Sequence, residues 1–320
     1  MEYDRVGSSN LRFSKIILGT WQAGKDSWAD IDDKDITRAI RGAIDFGITA
    51  IDTASIYGNG YSEKIIAKAL ATVSRGTYKL ATKVWVANLK AKQVIAQCEQ
   101  SLKNLQTDFI DLYQIHWPAG TFNSEIVPIS ETMDALNNLK RAGKIKHIGV
   151  SNFSKQQLQE AMQYGEIVSN QPPYSLLWRY YDQETNPFCR AANIAILAYS
   201  PLAQGILTGK FKANHVFKEG DHRSANKLMQ PAVFTNIEMV LDGMREYAHK
   251  YHTTLGNIAL NWLISQPGTF AIVGMRNLAQ VEDTSKCCDF QLTEAEIKEI
   301  DFLSKAVTET MDQNGLMWIS

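Results

Sequence analysis

Cysteine is scarce in this sequence. Four thiols stand in 320 residues, Cys98, Cys189, Cys287 and Cys288, with neither CxxC spacing nor a dense framework. This excludes a disulfide-stapled scaffold and a cysteine-bound zinc module. The thiols are expected to be reduced and mostly buried in a cytoplasmic protein, with the adjacent pair Cys287–Cys288 left as a redox candidate. An excess of either charge is lacking too: 33 Lys and Arg stand against 34 Asp and Glu, a net charge of −1. Neither a nucleic acid nor a charged membrane surface is therefore the expected partner. No apolar run approaches the ~18 residues needed to span a bilayer. The opening stretch MEYDRVGSSN lacks the basic-then-apolar layout of a signal peptide. Histidine is sparse, at six residues. No cluster of histidines falls where strands would end, which disfavours a metal-dependent hydrolase, and no metal is expected.

What is present is a regular alternation. Eight short runs rich in branched residues and bounded by polar turns suit buried parallel strands: 15–19, 49–54, 78–84, 109–116, 145–151, 166–171, 194–200 and 270–274. Helical patterns lie between them. ITRAIRGAIDFG repeats apolar residues at Ile36, Ile40, Ala43 and Ile44 and stops at Gly47, a C-cap signal. SEKIIAKALA, VIAQCEQSLKNL, ISETMDALNNLKRAG and KQQLQEAMQYG carry the same spacing. Ser154 with Gln157, and Thr293 with Glu296, have the form of capping boxes. The pattern predicts an α/β fold, a (β/α)8 TIM barrel occupying residues 1–320 as a single domain. An open doubly wound sheet is the alternative, weakened because no GxGxxG follows the first strand. Residues 3–13 predict a β-hairpin ahead of the barrel. Residues 201–232 predict a long polar connection, and such loops inside compact domains are usually functional or disordered.

In such a barrel the chemistry sits at the C-terminal ends of the strands. The second predicted strand ends in Asp52 and leads to Tyr57; the third ends in Lys83 and the fourth in His116. Successive strand ends lie about one strand–helix unit apart, so these residues converge on one rim. Singly, each has an ordinary reading: a turn closure, a packing phenol, a surface lysine, a core histidine. Together they suit protonation of an oxyanion forming on a carbonyl carbon. A free tyrosine, with a pKa of about 10, is a poor donor near neutrality. A nearby ammonium is expected to lower that value, a carboxylate to hold the ammonium, and an imidazole to orient the substrate oxygen. Trp21, Trp85 and Trp117 each lie just beyond a strand and, with Tyr57 and His116, predict an aromatic-walled substrate pocket. The tail TMDQNGLMWIS, with Met317 and Trp318, is a candidate cover for it.

The motifs LGTW (18–21), AIDTASIYGNG (50–60) with SE at 62–63, ATK (81–83) and DLYQIHWP (111–118) resemble the aldo-keto reductase superfamily. So do GVSNF (149–153), QPPYSLL (171–177), AYSPLAQGILTGK (198–210) and VGMRNLAQVED (273–283), so the resemblance runs nearly end to end and points to its short-loop, bacterial-type branch. It implies a barrel whose base is closed by the N-terminal hairpin. It also implies reduction of aldehydes and ketones with NADPH, NADH being possible, without a metal. Asp52, Tyr57, Lys83 and His116 match the catalytic tetrad: Tyr57 the general acid, Lys83 and Asp52 tuning it, His116 orienting the carbonyl. Ser151, Asn152 and Gln171 match residues that hold the nicotinamide carboxamide, and Tyr199 the ring that stacks on the nicotinamide. Ser200, Pro201, Leu202, Gln204, Gly205 and Lys210 match the loop over the pyrophosphate. Gly19, Thr20, Trp21 and Asp52 are expected on the cofactor side as well. Gly274, Arg276 and Gln280 match the adenosine-phosphate site, with Arg276 suited to a 2′-phosphate. The family often ends this motif in Glu-Asn, whereas this chain has Asp283 and Thr284, which alters the expected adenine contacts. Potassium-channel β-subunits resemble the family too, so the alternative is a nicotinamide-binding regulatory or redox-sensing subunit with little turnover. Those subunits often carry a long N-terminal extension, and here the hairpin follows almost at once. The physiological substrate, the favoured direction and the oligomeric state are left open.

Overall fold

Every one of the eight branched-rich runs forms a strand, and together they close on themselves. The computed structural model describes residues 1–26, 28, 30–311 and 313–318, so Asp312, Ile319 and Ser320 of the predicted tail lie outside the described residues. A hairpin comes first, β1 (Tyr3–Arg5) and β2 (Arg12–Ser14), antiparallel with Tyr3 opposite Ser14. The barrel strands follow: β3 (Ile16–Gly19), β4 (Ala50–Asp52), β5 (Lys79–Val84), β6 (Ile110–Ile115), β7 (Ile145–Ser151), β8 (Ser169–Gln171), β9 (Ala195–Tyr199) and β10 (Thr269–Gly274). They are parallel and run around the barrel in chain order, with β10 pairing back onto β3. The helices are α1 (Asp33–Asp45), α2 (Tyr61–Leu70), α3 (Ala91–Leu105), α4 (Ile129–Arg141), α5 (Lys155–Ala161), α6 (Thr185–Ala191), α7 (Pro231–Lys250), α8 (Leu255–Ile264), α9 (Leu278–Ser285) and α10 (Glu294–Thr308).

Local chemistry sets the helix ends. Asp32 accepts from the amides of Lys34 and Asp35 to start α1, and Gly47, at a φ of 80°, lets the chain leave it. The capping boxes at Ser154 and Thr293 both form. The bare alternation does not anticipate α7 and α8, which lie in succession between β9 and β10. The polar connection 201–232 carries three short 3-10 turns, at Ala203–Thr208, His222–Ala225 and Lys227–Met229, before Pro231 opens α7.

Burial divides the apolar residues in two. The larger cluster fills the space between barrel and helices. The smaller one lies inside the barrel, where Ile17, Ala50, Ala81, Leu112, Leu197 and Phe270 meet Val6, Leu11 and Phe13 of the hairpin segment. The hairpin therefore closes the barrel base. Alternation along a strand then does the rest. Two residues beyond Ala50, Ala81 and Leu112 stand Asp52, Lys83 and Gln114, so each strand is apolar at the base and polar at the mouth. Lys83 and Gln114 are register partners on β5 and β6. On the other side of Gln114, a Cβ at Gly149 would fall 3.1 Å from Gln114 Cγ and 2.4 Å from Ser169 Oγ. The missing side chain on β7 is the space Gln114 needs.

Candidate active site

Asp52 is the last residue of β4, Lys83 the penultimate residue of β5, and His116 follows β6 directly. The turn after β4 carries Tyr57 over them. Lys83 is fully buried; its Nζ donates to Asp52 Oδ1 at 2.6 Å and to the Thr53 carbonyl at 2.8 Å, and lies 3.4 Å from the Tyr57 hydroxyl. Burial is the largest single effect and disfavours the ammonium, but the Asp52 carboxylate and the Tyr57 hydroxyl together outweigh it, and the lysine is held above its ordinary value. The outcome at Tyr57 corrects the expectation of a lowered phenol. Lys83 does pull in that direction, yet burial is the larger effect, Asp52 adds to it, and the phenol stands above its ordinary value. The Lys83 charge, 3.4 Å away, is the second-largest influence on the phenol and does not overcome its burial. Burial, and next the charge of Lys83, push the His116 imidazole well below its ordinary value, so it is neutral near pH 7. Its Nδ1 is buried without a partner, edge-on between Tyr57 and Trp85.

Above these residues opens a cavity of about 570 Å³. Every residue expected to bind cofactor or substrate lines it, from Gly19, Thr20 and Trp21 round to Gly274, Arg276, Gln280 and Asp283; Lys83 alone of the tetrad sits behind the wall. Ser151 Oγ donates to the Gln171 carbonyl at 2.7 Å, and Asn152 Nδ2 to the His116 carbonyl at 3.1 Å. Tyr199 donates its hydroxyl to Asn152 Oδ1 at 3.1 Å. The amide of Gln171 is turned inward, donating to Asp52 Oδ2 at 3.0 Å. At the far end Lys210, Arg223 and Arg276 gather. Arg223 is matched by Asp221 in a two-pronged pair of 2.9 and 2.5 Å. Among the described residues neither Lys210 nor Arg276 has a carboxylate within ion-pair reach, and burial together with the Arg223 charge lowers both from their ordinary values. Gln22 Oε1 and Gln204 Nε2, both on this wall, are buried without a partner. Unmatched cations and orphaned amides along an elongated cavity fit a phosphate-bearing dinucleotide.

Several residues of the site were missed by the sequence reading. Gln114, buried behind the wall, donates to Asp52 Oδ2 at 3.2 Å and accepts from Gln171 at 3.3 Å. Its signal was parity, since it stands two places before His116 and shares its strand face. Trp28, Phe122 and His222 add to the aromatic wall, with Phe122 stacked on Trp85 at 5.9 Å and His222 edge-on to Trp21 at 4.8 Å. The tail does reach the pocket: the Lys227 amide donates to the Met317 carbonyl at 2.9 Å, and Trp318 packs 5.2 Å from His222. Backbone strain marks the same wall. Asn152, Ser200, Ala203 and Gln204, on or beside this wall, all have φ between 48° and 63°, a left-handed setting uncommon for non-glycine residues, although Gln106, Asn193 and His252 hold it away from the site.

Residues 15–305 match the family model described as the Aldo/keto reductase family. The chain is 35% identical over 312 residues to aldo-keto reductase YhdN of Bacillus subtilis, covering 94% of this chain and 93% of that protein. It is 31% identical over 312 residues to the NADH-specific methylglyoxal reductase of Escherichia coli, covering 91% and 94%. The solved structure of an aldo/keto reductase from Klebsiella pneumoniae in complex with NADP and acetate superposes with a TM-score of 0.76 at 26% identity, covering 98% of both chains.

Proposed function

The chain belongs to the aldo/keto reductase family, and from that premise we propose that it reduces small aldehydes and ketones to alcohols with NADPH, Tyr57 giving the proton. The observation that carries this reading is the chain Asp52–Lys83–Tyr57, at 2.6 and 3.4 Å, at the floor of the cavity. A nicotinamide cofactor, when bound, supplies the hydride that reaches the carbonyl carbon. Tyr57 donates its hydroxyl proton to the carbonyl oxygen as charge develops there. Lys83 stabilises the phenolate left behind, and Asp52 keeps Lys83 charged and aimed. Neutral His116 turns an N–H toward the same oxygen and orients it. Ser151, Asn152 and Gln171 hold the carboxamide; Tyr199 stacks on the nicotinamide ring. Ser200 to Gly205 would cover the pyrophosphate, Gly19 and Thr20 line the cofactor side, and Gly274 stands at the adenosine-phosphate end, where Arg276 takes phosphate charge as Lys210 does on the pyrophosphate. Gln280 and Asp283 flank the adenosine end, and Trp21, Trp85 and Trp117 wall the substrate.

NADH is a possible second cofactor, because one relative is named as NADH-specific. A cytoplasmic setting is part of the reading and rests on four free thiols; so is a single domain, resting on a hairpin, barrel and helices that share their cores. The test is NADPH consumption at 340 nm across a panel of aldehydes and ketones, repeated with Tyr57→Phe. Loss of a general acid is expected to lower kcat by about 10²–10⁴. A phenylalanine variant as fast as the parent sinks the general-acid role. Tight cofactor binding with negligible turnover in the parent would select the regulatory-subunit reading instead.

A further inference from the structure

Three soft sulfur donors meet at the base of the barrel, at the opposite end of the strands from Tyr57. Cys287 and Cys288 lie on the 3-10 turn Lys286–Cys288 that follows α9, and both are free thiols. Their sulfurs are 3.8 Å apart, and Cys288 Sγ lies 3.7 Å from Met1 Sδ. Met1 packs beside Gly47, just ahead of β4, which places the group at the strands' N-terminal end. The turn is pinned from α8: Asn261 Nδ2 donates to the carbonyls of Cys287 and Phe290, each at 2.8 Å, and Asn261 Oδ1 accepts from the Leu292 amide at 3.2 Å. Cys287 is buried and Cys288 half-buried, so one donor is anchored while the other faces the approach. The reduction chemistry uses none of the three.

We propose that Cys287, Cys288 and Met1 form a binding site for one soft monovalent cation of the Cu(I) type. A donor set of two thiols and a thioether selects soft ions over Mg²⁺ or Ca²⁺. Zinc asks for four donors from thiolate, imidazole and carboxylate. Among the described residues no group of three His, Cys, Asp or Glu stands together. The spacing agrees with a metal. With metal–sulfur bonds of ~2.3 Å, two sulfurs on one ion stand ~3.8–4.0 Å apart in tetrahedral or trigonal geometry. The separations of 3.8 and 3.7 Å are already there. Closing a disulfide instead needs ~2.05 Å between the sulfurs, which would wrench a turn that Asn261 holds. Binding exchanges each thiol proton for a metal–sulfur bond and releases it to solvent.

The experiment titrates the reduced full chain, under argon, with Cu(I) buffered by bathocuproine disulfonate. The parent is expected to withdraw one ion per chain, and Cys288→Ser to bind at least about 100-fold more weakly, as loss of a direct ligand should exceed outer-shell losses of 10–100-fold. Cys288 is half-buried and outside the catalytic machinery, so an unchanged melting midpoint shows the variant is folded. Copper-edge absorption on selenomethionine-labelled protein is expected to show two sulfurs and one selenium. Failure of the parent to withdraw copper, equal affinity in parent and Cys288→Ser, or an oxygen- and nitrogen-rich shell overturns the site. A sulfur shell without selenium removes Met1 and overturns the three-donor assignment.

Discussion

Asp52 takes side-chain hydrogen bonds from three different strands. Lys83 of β5 holds Oδ1, while Gln114 of β6 and Gln171 of β8 share Oδ2 at 3.2 and 3.0 Å. A buried carboxylate needs such partners, because an oxygen stripped of them costs about 1–3 kcal/mol. If Gln171 turns toward a nicotinamide carboxamide, Gln114 alone stays on that oxygen. Gln114→Met is therefore expected to lower kcat about tenfold, the equivalent of ~1.4 kcal/mol, with the KM for the carbonyl little changed. Steady-state kinetics check it, and an unaltered kcat would make Gln114 a packing residue only. The tetrad was legible in the sequence because each member is a polar residue at or beyond a predicted strand end. Gln114 was not, because the reading took only the last residue of FIDLYQIH and ignored the face it shares with His116. A second prediction separates burial from the lysine at Tyr57. Proton donation needs the neutral phenol, so a raised value keeps reduction active as pH rises and removes it only above the ordinary ~10. A profile of kcat against pH that already falls between about 7 and 9 would mean that Lys83 wins after all.

Helix caps are local chemistry, and at Ser154 and Thr293 a three-residue spacing was sufficient to read them. The cap of α10 also reaches outward. Glu296 accepts from the Thr293 amide and hydroxyl, from Lys250 at 2.6 Å and from Tyr251 at 2.7 Å. Burial works against the carboxylate, yet Lys250 and then these other donors bring it to about 2, below an ordinary 4.5. A folded-state value below the unfolded one stabilises the fold above the unfolded value, and that contribution is lost as pH falls through the folded one. Glu296→Gln is thus expected to lower the urea midpoint at pH 7, by a margin that shrinks between pH 4.5 and 2. A margin constant with pH would count against the charge. The segment 201–232 was legible only as long and polar. Its left-handed residues Ala203 and Gln204, and Ser200 just before it, carry no glycine signal, since the surrounding fold, not local propensity, imposes their φ. The tail was legible only as a candidate cover, because its docking rests on distant partners: Gln313 donates to the Leu177 carbonyl at 2.8 Å, and Lys227 donates to the Met317 carbonyl through its amide and to the Leu316 carbonyl through its ammonium.

Across the molecule, the barrel separates its tasks by depth. Apolar inward residues and the hairpin close the base, and the same strand faces turn polar at the mouth, so the candidate catalytic groups rest on a packed floor. The barrel and its polar rim were legible from the strand–helix repeat and the residues at strand ends; the hairpin's place at the base came with the family resemblance, and the change from apolar to polar along one strand face was not read. The charge balance at the cavity's far end was not, because it depends on which cation finds a carboxylate. Arg223 finds Asp221, while Arg276 and Lys210 find none among the described residues. An unmatched guanidinium can meet a 2′-phosphate with charged hydrogen bonds worth about 1.5–3 kcal/mol, roughly 10–150-fold in affinity. Arg276→Ala is expected to weaken NADPH by about that factor and to leave NADH within about threefold, having no such phosphate to lose. Whole-chain stability reports it without turnover. Ligand at 100 times its Kd stabilises the fold by about 2.7 kcal/mol, whereas the same concentration after a 100-fold loss gives only about 0.4 kcal/mol. A melting curve of the variant should then lose most of the NADPH-induced rise, several degrees in the parent by an estimate of about 2 °C per kcal/mol, and keep any rise caused by NADH. Equal losses with both cofactors would show that Arg276 serves the pocket's shape and not the phosphate.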